Sequence, residues 1–290
     1  MFNSQRSMFN KISIFTIALL AMLSSCESPD LSNVDDSDTE ANLRVSIYQM
    51  GSTPFTALTR ATDNCTRINY AVYTEDGTRV KQNNQEITDN GFGSTAFQLE
   101  PDIYRLVVVA HSSNGNPTMT DPKKIQFTNA QGFTDTFMHT QTIEVTEEQQ
   151  EIPITLERIV SLCRLCFTGD LPPEVATLQF QYTGGSGAFD ATTGLGCVKS
   201  TQRMVFTVAP GQREFDLYTF LHSSEGTLHL QATALDAGGN VLGEHTFEVP
   251  MRRNEITWLS GPFFGGNGTG GAGVVITINT DWAGETHLSF

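Results

Sequence analysis

Apolar residues at every second position, interrupted by turn formers at roughly 8–12-residue spacing, recur from Leu43 almost to the end of the chain. No other feature constrains the fold as tightly. Leu43, Val45 and Ile47 alternate with Arg44, Ser46 and Tyr48, and Ile68, Tyr70 and Val72 repeat the pattern before an Asp76-Gly77 turn. Successive strand side chains point to opposite faces, so each such run reads as a strand with one buried face. Further strands are expected at Ala96–Leu99, Ile103–Ala110, Thr142–Val145 and Ile152–Leu156. Clusters such as HSSNGNPTMTDPKK separate them, rich in residues that turn the backbone. The second half offers Ile159–Phe167, Thr177–Tyr182, Met204–Val208 and Phe215–Leu221, then Thr227–Ala234, Val241–Val249, Glu255–Leu259 and Val274–Asn279. No stretch beyond a few turns carries a helical period. Many short strands with regular turns imply an all-β fold of sandwiches. A boundary near Arg158 divides the chain into residues 42–158 and 159–290, two domains of ordinary size.

Ahead of these strands, Arg6 and Lys11 precede an apolar stretch from Ile12 to Leu23 that ends in Leu23-Ser24-Ser25-Cys26. A basic start, a short apolar middle and small residues before a cut form a secretory signal peptide. The stretch is short for a bilayer span, which takes roughly 20 residues. Met8 repeats the Met-Phe-Asn opening, and a start at either methionine keeps Lys11 and the apolar core. Leu-Ser-Ser-Cys resembles the bacterial lipobox, in which the thiol is acylated and the peptide is cut just before it. Residues 1–25 are then the leader, and Cys26 is the lipid attachment site. Each buried CH₂ of an acyl chain adds about 0.8 kcal/mol of membrane affinity. Residues 26–41, with the acidic run ESPDLSNVDDSDTE, read as a flexible tether, since such a composition buries too little apolar surface to fold.

Loss of residues 1–25 removes two bases and no acid, so the formal charge of −15 becomes −17. That acidity argues against nucleic acid and anionic membrane surfaces as partners. With 19 Phe and 39% apolar residues, the chain has the material for a sizeable core.

Beyond Cys26 stand Cys65, Cys163, Cys166 and Cys197, too few for a disulfide scaffold in a chain of this length. Cys163 and Cys166 form a C-x-x-C inside a strand, where positions three apart face opposite ways roughly 10 Å from each other. They cannot bridge each other, and no histidine or second C-x-x-C completes a zinc site; pairing of one of them with Cys197 stays open. Gly266, Gly268 and Gly271 spell G-x-G-x-x-G but run into a strand, Val274-Val275-Ile276-Thr277-Ile278, where a dinucleotide fingerprint needs a helix. GGSGA at 184–188 lacks the last glycine of a nucleophile elbow and has no α/β setting, so Ser186 is a loop serine. His111 and His222 precede serines in an echo, IYRLVVVAHSSNG at 103–115 and FDLYTFLHSSEG at 215–226, whose firm content is a strand running into a turn. Matching apolar faces across the turn at Asp236–Asn240 puts His245 on the Ala232 side and His229 on the opposite face, so the two cannot share a metal. No cofactor or metal ligand set is expected, and the scattered carboxylates show no catalytic spacing.

Three longer phrases carry a family likeness: CTRINYAVYTEDGTRVKQ at 65–82, AHSSNGNPTMTDPKKIQFTNAQGFTDTF at 110–137 and FQYTGGSGAFDATTGLGCVKS at 180–200. They resemble the fimbrial anchor lipoproteins of Bacteroidales, relatives of the fimbrillins that build type V pili. The resemblance implies two tandem transthyretin-like β-sandwich domains, a lipid-held outer-membrane subunit within the fimbrium that attaches the pilus and regulates its length, pilus subunits as partners, and no enzyme activity; the acidic run after Cys26 resembles an export signal for the outer leaflet, which suggests surface exposure. Fimbrillins of that kind hold one another by β-strand complementation, freed by proteolysis after an arginine. Arg60, followed by Ala61, is the matching candidate here, although a cut there would also release the lipid. Two alternatives stand beside the anchor: a stalk or tip fimbrillin trimmed near Arg60, and a surface glycan-binding lipoprotein. The second would use an aromatic platform at Trp258 or Trp282, with Trp258 expected in the core from its apolar strand.

Overall fold

In a computed structural model of the chain, the described residues are 41–51, 53–54, 65–264, 274–277 and 284–289. Side chains at 53–54, 274–277 and 284–287 lie outside the description. Residues 38–290 cluster as one compact unit, and every regular element among the described residues is a strand. The first half contributes β1 (Leu43–Met50), β2 (Thr53–Pro54), β3 (Arg67–Thr74), β4 (Arg79–Glu86), β5 (Ser94–Phe97) and β6 (Asp102–His111). It continues with β7 (Thr118–Asp121), β8 (Lys124–Gln126), β9 (Phe137–Val145) and β10 (Gln150–Arg158). The second half runs through β11 (Ser161–Phe167), β12 (Thr177–Thr183), β13 (Ala188–Asp190), β14 (Leu195–Gly196), β15 (Gln202–Thr207) and β16 (Glu214–Thr219). It closes with β17 (Glu225–Leu235), β18 (Val241–Arg252), β19 (Glu255–Gly261), β20 (Val274–Thr277) and β21 (Gly284–Ser289).

Each half is a sandwich. In the first, β5, β1 and β10 face the antiparallel layer β9-β6-β3-β4. Leu43, Val45, Ile68, Leu106, Ile154 and Leu156 interdigitate between them. Pairing of Glu157 with Met138 and Arg158 with Phe137 turns the corner between the layers. In the second, β16-β11-β19-β21-β20 faces β15-β12-β17-β18 over Cys163, Leu165, Phe180, Phe215 and Leu230.

The two topologies repeat. A central strand, β1 or β11, has an antiparallel neighbour on one side (β5 or β16) and a parallel one on the other (β10 or β19). The facing layers, β4-β3-β6-β9 and β15-β12-β17-β18, match strand for strand. The His-Ser-Ser echo falls on β6 and β16, which are not equivalent in this scheme; β6 corresponds to β17. The repetition therefore lives in strand order, and the echo reflects only a shared strand-to-turn requirement.

A third layer joins the halves. Strands β7 and β8 from the first and β13 and β14 from the second form one sheet, ordered β14-β13-β8-β7, with Phe189 opposite Ile125 and Ala188 opposite Gln126. Its apolar face covers the outside of β3 and β6, where Ala71, Tyr73, Val107 and Val109 meet Met119, Ile125, Phe127, Phe189 and Phe220. Phe220 is the hub, 6.0 Å from the Phe127 ring and 4.8 Å from Phe189. Burying a side chain of that size contributes about 1.5–3 kcal/mol. Strand β6 is thus buried on both faces, which is why LVVVAH lacks alternation.

Candidate functional site

Several expected sites lie outside the described residues: Cys26, Arg60, Ala61, Gly266, Gly268, Gly271 and Trp282. The others are placed. Cys65, Cys163, Cys166 and Cys197 are all free thiols. Cys163 points into the second core and burial pushes its thiol up to about 12, whereas Cys166 turns to the opposite, half-buried face of β11. Cys65 is likewise raised to about 12 by burial and sits 3.9 Å from Met50 Sδ. These two are inert packing residues, because the reactive species is the thiolate.

Ser186 is fully buried. Its Oγ donates to Ala188 O at 2.5 Å and accepts from Ala188 N at 3.1 Å and Val198 N at 3.2 Å, so the hydroxyl has no capacity left for nucleophilic work. The flanking glycines explain GGSGA: a Cβ on Gly185 would overlap Thr219 Oγ1, and Gly184, at φ +91°, has Thr227 O against its bare Cα. The segment is a packing knot.

The histidines are dispersed as their register requires. Ala232 pairs with His245 and His229 with Glu248; His229 Nδ1 lies 2.7 Å from Glu248 Oε2, and His245 Nε2 donates to Phe263 O at 2.7 Å. His222 is exposed and donates from Nδ1 to Gly196 O at 2.8 Å. His111 is fully buried, its Nε2 bonded to Asn69 Oδ1 at 2.8 Å. Asn69 Nδ2 in turn donates to Asn84 Oδ1 at 2.8 Å and Asn116 Oδ1 at 2.9 Å. Among the described residues, no group of three His, Cys, Asp or Glu side chains is placed to hold a metal.

Trp258 corrects an expectation. It does not enter the core: on β19 the inward residues are Thr257, Leu259 and Gly261, and Trp258 takes the alternate, outer face, half-buried. There the Arg164 guanidinium lies 5.1 Å from the ring centroid and is gripped by Asp216 through two bonds of 2.6 and 2.7 Å. The apolar run misled because both faces of this strand are covered in part.

With no catalytic or metal centre formed by these groups, the sheet edges become the sites of interest. In the second sandwich β21 lies parallel along β19, from Glu255 opposite Gly284 to Ser260 opposite Ser289. The corresponding flank of β10 in the first sandwich carries no strand over Gln150–Leu156 among the described residues. Gln150 N donates to Asn42 O, and Leu156 O accepts from Gly51 N. Even-numbered residues of β10 therefore address β1, and Glu151, Pro153 and Thr155 address the open flank. That flank is guarded: Pro153 has no N–H to offer, and His139 Nδ1 donates to Thr155 O at 3.0 Å. Proline and charge are the ordinary means of keeping an edge from pairing indiscriminately. The edge of β15 is plugged instead. Arg203 N donates to Asn129 Oδ1 at 2.9 Å, and Asn129 Nδ2 donates to Thr201 O at 3.3 Å, so an amide from the first half stands in for a strand.

Among solved structures, a Bacteroides ovatus protein provisionally described as an adhesin aligns at 17% identity over 78% of this chain and 88% of its own, with a TM-score of 0.47. The fimbrial anchor protein Mfa2 of Porphyromonas gingivalis aligns at 14% identity over 70% and 80%, with a TM-score of 0.43. Scores below one half mark a likeness too loose to bear on role. No curated protein matches the chain. A family model described as a family of unknown function, DUF6562, matches residues 34–289, and the chain belongs to that family.

Proposed function

We propose that this protein is a non-catalytic subunit held to the outer membrane by acyl chains on Cys26, and that it anchors a pilus-like fibre by accepting a strand from a neighbouring subunit. The observation that carries the reading is the flank of β10. The same topological position is filled by β21 in the second sandwich and lacks a strand in the first among the described residues. Added strands bind through main-chain hydrogen bonds and draw specificity from alternating side-chain pockets. Glu151 N–H and C=O, Pro153 C=O and Thr155 N–H are the groups available. The acidic run after Cys26 serves as the tether, and the sandwiches joined through a third layer supply a stiff body. The sequence resemblance to Bacteroidales fimbrial anchors points the same way.

Metabolic lipid labelling tests the attachment: label lost in Cys26→Ala supports it, and label retained removes it. N-terminal sequencing of the surface protein separates anchor from stalk, because a mature chain beginning at Ala61 would have shed its lipid. Co-purification with fibre subunits tests the grip. Thr155→Pro deletes an open-flank donor without touching the β1 ladder, and it should weaken co-purification while leaving the melting temperature within a few degrees.

A further inference from the structure

The chain holds 32 acids and 17 bases, and the described bases divide into those held by a carboxylate and those that are not. Arg67, Arg158, Arg164, Arg213 and Arg252 each pair with an acid at 2.6–3.4 Å. Arg79, Arg105 and Lys123 do not; among the described residues none of the three makes an ion pair or a side-chain hydrogen bond. All three line a single open basin of about 860 Å³, within the roughly 300–1,000 Å³ of small-ligand sites. The basin is ringed by three turns, β3–β4, β7–β8 and β13–β14, drawn from both halves. Ala191 N donates to Pro122 O at 2.8 Å, and Phe189 pairs with Ile125 beneath it, so the third layer fixes the turns relative to one another.

We propose that this basin binds a carboxylated saccharide. Its acids are committed to their own turns. Asp76 Oδ1 accepts from Thr74 Oγ1 at 2.5 Å and Thr78 N at 3.0 Å. Asp121 Oδ1 accepts from Lys123 N at 2.8 Å. The guanidinium and ammonium donors therefore stay available for charge-assisted bonds to a ligand. Counting Glu75, the lining holds three acids and three bases and is neutral overall. With bases and acids in balance, the basin gives no net attraction to a densely charged acidic peptide, and its donors suit a ligand whose carboxylates are spaced among hydroxyls. Thr78, Thr120 and Thr192 add groups that both donate and accept, matching sugar hydroxyls. Pro122 is the largest apolar side chain in the lining, which leaves no pocket for an apolar peptide side chain and no ring for stacking. Recognition is then by charge and hydrogen bonding, and it weakens with salt. This site is independent of the fibre-anchoring reading and stands or falls without it.

Titration calorimetry with trigalacturonate, with neutral galactotriose and hexa-aspartate as comparisons, tests the assignment. Trigalacturonate should bind with a Kd on the order of 1 mM or tighter, the neutral sugar should not bind, and hexa-aspartate should bind more weakly. Arg79→Gln with Arg105→Gln should weaken trigalacturonate by about tenfold, and so, to a smaller extent, should the exposed Lys123→Gln; Arg213→Gln, outside the basin, should leave it unchanged. The proposal is overturned by no binding of trigalacturonate, by unchanged affinity in both the double variant and Lys123→Gln, by equal loss in Arg213→Gln, or by tighter binding of hexa-aspartate.

Discussion

Mild acidification should destabilise the protein by an amount set by one buried ring. Ser113 N donates to His111 Nδ1 at 3.1 Å, and Asn69 Oδ1 lies 2.8 Å from Nε2, a pairing that fits only the neutral tautomer protonated on Nε2. Burial, reinforced by the Arg67 charge, lowers the His111 pKa to about 3, against about 6.5 in an unfolded chain. Because the depressed value belongs to the folded state and the group is a base, the unfolded chain takes up the proton first as pH falls. The stabilisation is therefore complete above about pH 6.5 and declines by about 1.4 kcal/mol per pH unit below it. Between about pH 7 and pH 5 the loss is about 2 kcal/mol, reaching about 4 kcal/mol near pH 3. Urea unfolding of wild type and His111→Gln across that range isolates the effect, since every other titrating group is common to both. Glutamine forfeits the edge contact with Phe127, 4.9 Å between ring centroids, and lowers stability at every pH. Its curve should nevertheless be flatter, closing about 2 kcal/mol of the gap between pH 7 and pH 5. Parallel curves would refute the neutral, desolvated ring.

Three further outcomes test the joint and the thiols. Gly185→Ala forces a Cβ into Thr219 Oγ1 and should cost about 1–3 kcal/mol of overpacking, seen as a lower midpoint in thermal melts. Arg158→Ala strands Asp135, whose carboxyl burial already holds above its ordinary range despite two 2.8 Å bonds from that arginine. With both side chains still partly exposed, about 2 kcal/mol is expected, and Arg158→Lys should recover only part of it because one fork of the bidentate pair is missing. Iodoacetamide followed by mass spectrometry should label the exposed Cys197 first and Cys166 more slowly, sparing the buried Cys65 and Cys163 until the chain unfolds. Labelling of Cys163 in the native protein would contradict its place in the core.

Where one face of a strand meets solvent, the sequence announced it: β1, β17 and the hairpin partner β18 fell where alternation put them, and the parity argument for His229 and His245 held rung by rung. Strand β4, RVKQNNQE, was invisible because it is a polar edge whose one buried side chain is Gln85. Strands β7, β8, β13 and β14 span two to four residues each, too short for any period, and exist because an outer face of β3 and β6 needs covering. Trp258 was misplaced because apolar content says that a strand is covered and does not say which face is inside. Arg79, Arg105 and Lys123 share a basin only because the β3–β4 and β7–β8 turns meet beside strand β6, which no local pattern encodes.

The third layer also decides how the two sandwiches respond to load. Were they joined only by the chain between β10 and β11, Ile159 and Val160, they would pivot, and tension on one would reach the other as a torque on two residues. Instead Ile159 and Val160 are themselves buried in the third core, and the β8–β13 rungs cross from one half to the other. Phe220 packs between Phe127 of the first half and Phe189 of the second. Separating the halves must expose that apolar cluster before either sandwich unfolds. Phe220→Ala, at about 3–5 kcal/mol for a buried phenylalanine, should loosen the junction selectively. Two unfolding transitions should appear in the variant where the wild type shows one, whereas a single, merely earlier transition would mean that the two cores are coupled by something other than this cluster.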